Sequence, residues 1–160
     1  HRFWSYLKRM DDGRSHIILQ EGYADWRFGY GYVENMSHAL ALTVLDERAA
    51  GRIYNAGQRE HWTQAELVRA LAAATGWEGE IMIVPGEKLP EMMREDYDFR
   101  QDMHTDTTRI REELGFAEVV ETAVALQRTI DWQRAHPPEQ HPDPFDYTAE
   151  DEIISRILSQ

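Results

Sequence analysis

Short β-prone runs alternate with helix-patterned segments along this chain, and that alternation constrains its fold more than any other feature. Residues 16–20 (HIILQ) and 80–84 (EIMIV) are short apolar runs bounded by polar residues, glycine or proline, which is typical of strands. Elsewhere apolar residues recur every three or four positions, which predicts helices. Strands that alternate with helices indicate an α/β fold.

The first half of the chain contains two further candidate strands and two candidate helices. Residues 2–10 predict a short helix, and residues 27–33 (RFGYGYV) predict a strand that pairs antiparallel with the first one. Asn35 or Ser37 is expected to cap the next helix. The apolar face predicted for that helix consists of Met36, Leu40 and Val44. Residues 52–57 (RIYNAG) predict a strand in a buried parallel sheet.

The second half has clearer helix signals. Thr63 and Glu66 are spaced as a capping box, which predicts a helix that closes at Gly76. A loop with one helix around 91–95 should follow the second apolar run. Two more helices are then predicted. The first runs from a cap at Asp106 through Glu113, and the second covers about 120–135, with Val124, Leu126, Ile130 and Trp132 in its apolar stripe.

Charge and composition exclude several classes of function. The chain has 17 Lys and Arg against 29 Asp and Glu, a formal net charge of -12, and no cluster of basic residues. This argues against nucleic acid and anionic membrane surfaces as partners. No apolar run approaches the roughly 20 residues that span a bilayer. Cysteine is absent, which excludes disulfides and thiolate sites and fits a reducing, cytoplasmic location.

Three segments, in this order, resemble the second half of extended short-chain dehydrogenases, the NAD-dependent epimerases and dehydratases of nucleotide-sugars. They are residues 32–39 (YVENMSHA), residues 51–57 (GRIYNAG), and the pair of helices within residues 106–132. Asn35 stands where that family usually has aspartate. The resemblance implies the C-terminal substrate-binding part of an extended Rossmann-type fold, without the N-terminal dinucleotide-binding half.

The family's catalytic and cofactor motifs have no counterpart in these 160 residues. No tyrosine is followed four residues later by lysine, and Gly29-Tyr30-Gly31 lacks the further glycine that opens a phosphate-binding helix. The chain also begins at His1 rather than Met, which we interpret as a cut within a longer polypeptide. We therefore expect no catalytic residue here. NAD or NADP should belong to the intact enzyme, and none should bind to this segment alone.

The resemblance also implies a division of the chain and a role for it. Residues 1–136 are predicted to be the substrate-binding portion, and residues 137–160 a proline-rich tail with a short terminal helix. The expected role is recognition of a nucleotide-sugar or a similar small molecule. Homo-oligomerisation or association with the missing half is expected. The alternative is a non-enzymatic protein of the same scaffold that senses NAD(P) or binds partners.

Three residues are the candidate substrate contacts. Arg27 lies just upstream of the aromatic-valine segment, where family members carry an arginine that clamps a diphosphate, and Arg100 is a second candidate. Asn55 is the third, although a buried asparagine that satisfies turn amides is the competing interpretation. Aromatic residues nearby either stack on a base or sugar or only pack across strands. These aromatic residues are Trp26, Tyr30 and Tyr32.

A metal site is the remaining possibility in the sequence. In an extended segment, Asp102, His104 and Asp106 lie on one side, and carboxylates and imidazole are metal ligands. Asp106 competes for this role as a helix cap, and no second histidine cluster completes a coordination shell. We therefore predict no metal site, and a metal hydrolase that uses His104 is the third class to test.

Overall fold

A two-stranded parallel sheet forms the centre of the protein in a computed structural model that describes residues 2–159. The strands are β1 (His16–Gln20) and β2 (Glu80–Val84), paired in register from His16 with Glu80 to Gln20 with Val84. Both strands coincide with the two apolar runs of the sequence. Because parallel strands need a long crossover, the intervening segments can carry helices, and the predicted α/β class is confirmed.

Six α-helices occur within residues 2–159. They are α1 (Trp4–Asp11), α2 (Val33–Leu45), α3 (Gln64–Thr75), α4 (Thr108–Leu114), α5 (Thr122–Ala135) and α6 (Thr148–Leu158). Single 3₁₀ turns lie at Glu47–Ala49, Gly86–Lys88 and Glu91–Met93. The last of these occupies the position where a helix around 91–95 was expected. None of the described helices is long and apolar enough to cross a membrane.

One face of the sheet is covered by α1, α3 and α5. Ile17 and Leu19 of β1 point to this face because side chains alternate along a strand. They pack with Leu7, Met10, Leu67, Val68, Leu71, Leu126 and Ile130. Full burial of each such side chain stabilises the fold by about 1.5 to 3 kcal/mol. This is the main hydrophobic core.

The opposite face is covered by α6. Ile18 and Met82 lie against a cluster that joins Val84 with Leu89 and Ile153. The short terminal helix predicted from the sequence is therefore three turns long and packs on the sheet. Helices thus cover both faces of the sheet, as the apolar composition of the strands requires, although Ile83 of β2 remains partly exposed.

Charged side chains attach the segment before α6 to α1. Arg9 of α1 donates to Asp143 at 2.6 Å and to the buried Glu150 at 2.5 Å. Tyr147 donates to Asp12 at 2.5 Å. These hydrogen bonds to carboxylates hold the proline-rich tail against α1.

The capping box of α3 is confirmed. Glu66 N donates to the hydroxyl of Thr63 at 3.0 Å, and Thr63 N donates to the Glu66 carboxylate at 2.7 Å. Gly76 closes the helix with φ +72°, a conformation that favours glycine. Local sequence alone therefore defines both ends of α3.

The start of α2 differs from the sequence prediction. The helix begins at Val33 with Tyr32 as N-cap, so neither Asn35 nor Ser37 caps it. Asn35 is instead buried, and its side chain bonds the backbone of residues 119 and 120. The side chain of Asn35 therefore binds the loop before α5 instead of capping its own helix. Nothing in the local sequence relates that loop to α2.

The apolar face of α2 was also predicted wrongly. Leu40 is 65 % exposed and Val44 is 74 % exposed, whereas Ala39 is buried. Ala39 belongs to a second, smaller cluster with Ala49, Ile110, Leu114 and Phe116, which joins α2 to α4. Periodicity shows that a helix is amphipathic but not which side its neighbours cover.

The two additional strands predicted in the first half do not form. Residues 52–57 have extended or irregular backbone without a ladder, and Ile53 is 82 % exposed. Residues 27–33 do not pair with β1, which pairs with β2 instead. Arg27 and Phe28 make only single bridges, to Thr63 and Met103. A β-prone run needs a neighbouring strand to form a ladder, and these two have none within the described chain.

Candidate substrate-binding site

The loops that leave the carboxyl ends of β1 and β2 meet beside the sheet. In open α/β sheets this is the edge at which ligands bind. Gln20, at the end of β1, ties the two loops together. Its Oε1 accepts from Glu95 N at 2.8 Å, and its Nε2 donates to Glu95 O at 3.5 Å. The sheet therefore positions both loops.

Residues 26–29, which we call the central segment, align two other loops. Met103 N donates to Arg27 O at 2.9 Å, and Gly29 N donates to Met103 O at 2.8 Å. On the other side, Gln64 N donates to Trp26 O at 3.1 Å. Residues 101–104 and 61–64 thus flank the central segment, and their side chains come together although they are far apart in sequence.

An aromatic cluster surrounds Trp26. The buried indole stacks on Tyr97, with ring centroids 5.3 Å apart and planes inclined by 14°, and Nε1 donates to Gln101 O at 2.8 Å. Phe99 fills the space above Gly22, where an added Cβ would lie 2.9 Å from the ring. Tyr97 remains 56 % exposed. Its ring is an accessible flat surface that a planar or sugar ligand can contact.

Arg27 lies on the central segment, but its guanidinium already has protein partners. Nη1 donates to the carbonyl of His61 and to the Glu66 carboxylate at 3.4 Å. Its backbone N–H donates to Asp102 Oδ1 at 3.0 Å. The side chain remains partly exposed, so a ligand would share the guanidinium with these partners.

Arg100 and Asn55 occupy more open positions. The side chain of Arg100 is 90 % exposed and pairs with Asp98, two residues away, at 2.7 Å. Asn55 is exposed on residues 52–57, so the expectation of a buried turn asparagine is wrong. That stretch continues to Gln58, whose N–H donates to Tyr30 O at 2.9 Å beside the central segment. Substrate contact by Arg27, Asn55 and Arg100 stays a prediction.

The two tyrosines that follow the central segment make protein contacts. Tyr30 packs on Phe28 with ring centroids 5.4 Å apart and donates to Gln64 Oε1 at 3.3 Å. Tyr32 donates to Glu34 at 2.9 Å. Contacts within the protein account for both side chains. This agrees with the interpretation that these aromatic residues pack within the fold and do not stack on a base or sugar.

Burial makes the phenols of this region weak acids. Burial raises the pKa of Tyr23 to about 12, raises the pKa of Tyr6 well above its usual value and raises the pKa of Tyr30. Burial also raises the pKa of Glu95. These hydroxyls stay protonated at neutral pH and act as hydrogen-bond donors. Such an arrangement can hold a polar ligand in place but has no activated phenolate.

The predicted metal-ligating residues are not gathered. Asp102 accepts from Arg27 N, and Asp106 accepts from Thr108 N at 2.9 Å as the turn before α4. The imidazole of His104 stacks on His61 instead, with centroids 4.4 Å apart. No group of three or more metal-ligating side chains occurs among residues 2–159.

Sequence reasoning missed several residues that converge here. Tyr97 and Phe99 alternate with acidic residues in DYDFR, a signal that was available in a loop otherwise without pattern. His61 and Glu95 gave no local signal, because their partners lie on other loops. Only the tertiary fold brings these four side chains to the same edge.

Comparison with known proteins identifies relatives among nucleotide-sugar enzymes. No family model matches the chain. It is 32% identical over 125 residues to a dTDP-glucose 4,6-dehydratase of Streptomyces niveus, covering 77% of this chain and 33% of that protein. It is 36% identical over 102 residues to a dTDP-glucose 4,6-dehydratase of Streptomyces griseus, covering 62% and 28%.

Solved structures share the fold. A UDP-glucose 4-epimerase of Thermotoga maritima with UDP-glucose superposes with a TM-score of 0.60 at 23% identity, over 82% of this chain and 38% of that one. A dTDP-glucose 4,6-dehydratase of Bacillus anthracis in complex with NAD gives a TM-score of 0.61 at 17% identity, over the same shares. Homologues and structural neighbours are extended short-chain dehydrogenases. They belong to the NAD-dependent epimerase/dehydratase family.

The match to this family is partial. The chain spans about a third of the length of the curated relatives it matches, and it corresponds to their C-terminal portion only. The predicted family and the predicted fold class are therefore confirmed. The ligands and reactions named for the matched proteins are properties of those whole proteins, of which this chain spans only a part.

The only closely spaced glycine pair does not fit a dinucleotide. Gly29 and Gly31 precede α2, and a Cβ built at Gly31 would lie 2.7 Å from Sδ of Met36. A thioether thus fills the space that a pyrophosphate needs at a helix N-terminus. No step of the chemistry can be assigned to a cofactor held by this turn.

Proposed function

We propose that this chain is the substrate-recognition portion of an NAD(P)-dependent nucleotide-sugar epimerase or dehydratase, and that it is inactive without a dinucleotide-binding half. The similarity to two dTDP-glucose 4,6-dehydratases carries this proposal. Supporting it, the loop that follows β2 presents the accessible ring of Tyr97, stacked on the buried Trp26. A flat aromatic surface of this kind can contact a sugar or a base.

An exposed apolar surface on α2 supports the need for a second half. Val33, Leu40, Val44 and Leu45 are mostly exposed on this helix, and Ile53 is exposed nearby in sequence. We call the four residues of the helix the α2 surface. Exposed apolar patches of this kind usually mark interfaces. We propose that the α2 surface packs against the dinucleotide-binding half, or against another copy of the chain.

Turnover by the protein encoded by the whole gene tests the proposal. With NAD⁺ and dTDP-glucose or UDP-glucose, we expect a C4-epimerised or 4-keto product, detected by mass spectrometry and NMR. Leu40→Asp should lower turnover strongly, because a charge would be buried at the interface. Glu152→Gln, on the exposed side of α6, is the matched control and should leave turnover unchanged. Absence of any product from either sugar nucleotide would contradict the proposal.

The same assay addresses the non-enzymatic alternative. Asn35 stands where the family usually has aspartate, but its amide satisfies the backbone at residues 119 and 120, so its role in this chain is structural. A whole protein that binds NAD(P) but converts no nucleotide-sugar would favour a sensing role. Turnover would exclude that alternative.

A further inference from the structure

His61 and His104 form a stacked pair of imidazoles whose ring nitrogens have no protein partner. Their centroids are 4.4 Å apart and their planes are inclined by 26°. Across residues 2–159, no protein group hydrogen-bonds to a ring nitrogen of either residue. By contrast, His16 contacts Ser15 Oγ at 2.9 Å, and His141 contacts Ser5 Oγ at 3.3 Å. The pair is therefore available to a ligand.

The backbone holds this pair in place. His61 comes directly before the capping box of α3, and its carbonyl accepts from Arg27. His104 directly follows Met103, which exchanges two backbone hydrogen bonds with Arg27 and Gly29. The backbones that carry the two imidazoles are thus bound to opposite sides of the central segment, and the rings meet in a stack. A ligand does not have to organise them first.

Basic and acidic side chains both surround the pair. Burial lowers the pKa of His61, and His104, Arg27 and Arg111 lower it further by repulsion. Asp102 acts to raise the pKa of His61. Hydrogen bonds from Thr108, and to a smaller extent the nearby His104, lower the pKa of Asp106.

Each carboxylate near the pair already has a partner. Asp102 accepts from Arg27 N, Asp106 from Thr108 N, and Glu66 from Thr63 N and Arg27. Glu118 is paired with Arg111 at 2.6 Å. Each of these carboxylates thus has a donor within the protein, whereas the ring nitrogens of the two imidazoles have none among the described residues. An acidic ligand would find two imidazoles that are free to donate to it.

We propose that protonated His61 and His104 together bind a phosphoryl anion. Two adjacent imidazolium rings repel each other, and an anion that accepts an N–H from each removes that repulsion through charge-assisted hydrogen bonds. The proposal rests on the proposed function only for the identity of the natural ligand, the diphosphate of a nucleotide-sugar. A divalent cation fits less well, because stacked rings direct their lone pairs side by side and no third ligand is present among the described residues.

The proposal fixes the sign of the pH dependence. An anion favours the protonated imidazoles, so binding raises the pKa of both, and affinity falls as pH rises through the range in which histidine titrates. Inorganic pyrophosphate gains negative charge over the same range. General attraction to the nearby arginines would therefore strengthen with pH, whereas binding by the histidine pair weakens. The two explanations predict opposite trends.

Titration of the whole chain with inorganic pyrophosphate tests this, with imidazole signals followed by NMR. Between about pH 8 and about pH 5.5 we expect affinity to rise about tenfold or more, with upward pKa shifts confined to His61 and His104. His61→Gln and His104→Gln should each weaken the pH dependence, and the double variant should remove it. His38→Gln, on α2 beside Phe116, is the matched control and should bind as the unaltered chain does.

Several results would overturn the proposal. These are equal affinity at both pH values, an equal shift of His38, or a response of the pair to Zn²⁺ but not to pyrophosphate. The shifts in the unaltered chain decide the matter even if a glutamine variant unfolds. The result is also independent of the proposed function, since pyrophosphate binding needs no turnover. An inactive whole protein with a phosphate-responsive pair would refute only the enzymatic role.

Discussion

The sheet and α2 differ in how their apolar side chains are covered. Helices cover both faces of the sheet, α1, α3 and α5 on one side and α6 on the other. On α2, the small Ala39 and the polar Asn35 face inward, while Leu40 and Val44 face outward. The sheet region contains the main hydrophobic core, although Ile83 of β2 remains 48 % exposed. The α2 surface has the composition of a core without a neighbour among the described residues.

This difference shows which part of the chain is self-sufficient. Burial of apolar area drives folding, so the sheet region should carry most of the stability of the isolated chain. The α2 surface should contribute to stability only once something covers it. Substitutions in the sheet region should therefore destabilise the isolated chain. Substitutions on the α2 surface should leave the stability of the isolated chain nearly unchanged and weaken only its assembled form.

The largest contrast is expected between Leu71 and Leu40. Leu71→Ala leaves a cavity in the core and should lower the free energy of unfolding by about 2 to 5 kcal/mol. Leu40→Ala should change it by no more than about 0.5 kcal/mol, because that side chain is already exposed. Urea denaturation of the isolated chain measures both. Equal losses would show that α2 is covered in solution, by a second copy if the loss depends on protein concentration.

Asn35 should give the next largest effect. Its Oδ1 accepts from the N–H groups of Val119 and Val120, and its Nδ2 donates to Val120 O. Asn35→Leu leaves these partly buried hydrogen bonds unmade and should cost about 1 to 3 kcal/mol.

Two variants on the same helix calibrate that loss. Asn35→Asp keeps the two acceptor bonds and should lose less than Asn35→Leu, while the exposed Ser37→Ala should lose almost nothing. If Ser37→Ala were as damaging as Asn35→Leu, the hydrogen bonds would not be the cause. The attachment of α2 to the loop before α5 would then need another explanation.

The smallest effect concerns the N-terminal caps. Thr63→Ala removes the capping box of α3 and should cost about 1 kcal/mol in thermal or urea unfolding. Tyr32, the N-cap of α2, makes no side-chain cap hydrogen bond, so Tyr32→Phe should be nearly neutral. A larger loss in Tyr32→Phe than in Thr63→Ala would contradict the assignment of α3 to the stable region.

Local signals predicted the elements well, and tertiary arrangement poorly. EIMIV before Pro85 and the Thr63-Glu66 box are complete within a few residues, and both predictions were confirmed. Residues 27–33 and 52–57 have the composition of strands, but a strand also needs a partner, and sequence composition does not supply one. The inward face of α2 depended on Asn35 reaching a distant loop.

The candidate site shows the same limit. Arg27 was identified from its position beside the aromatic-valine segment, but its pairing with Glu66 and the carbonyl of His61 depends on the fold. The stack of His61 on His104 joins two loops that no local pattern relates. A sequence shows which residue types can bind ligands, but it does not show which of them lie together in the folded protein.

The central claim is that this chain recognises a nucleotide-sugar and leaves the dinucleotide to another part of the enzyme. Saturation-transfer NMR on the isolated chain tests it most directly, with dTDP-glucose or UDP-glucose in one sample and NAD⁺ in another. The account predicts saturation of nucleotide-sugar protons that is weakened by substitution of Tyr97, and none of the nicotinamide or adenine protons. Saturation of NAD⁺ without saturation of either sugar nucleotide would contradict it.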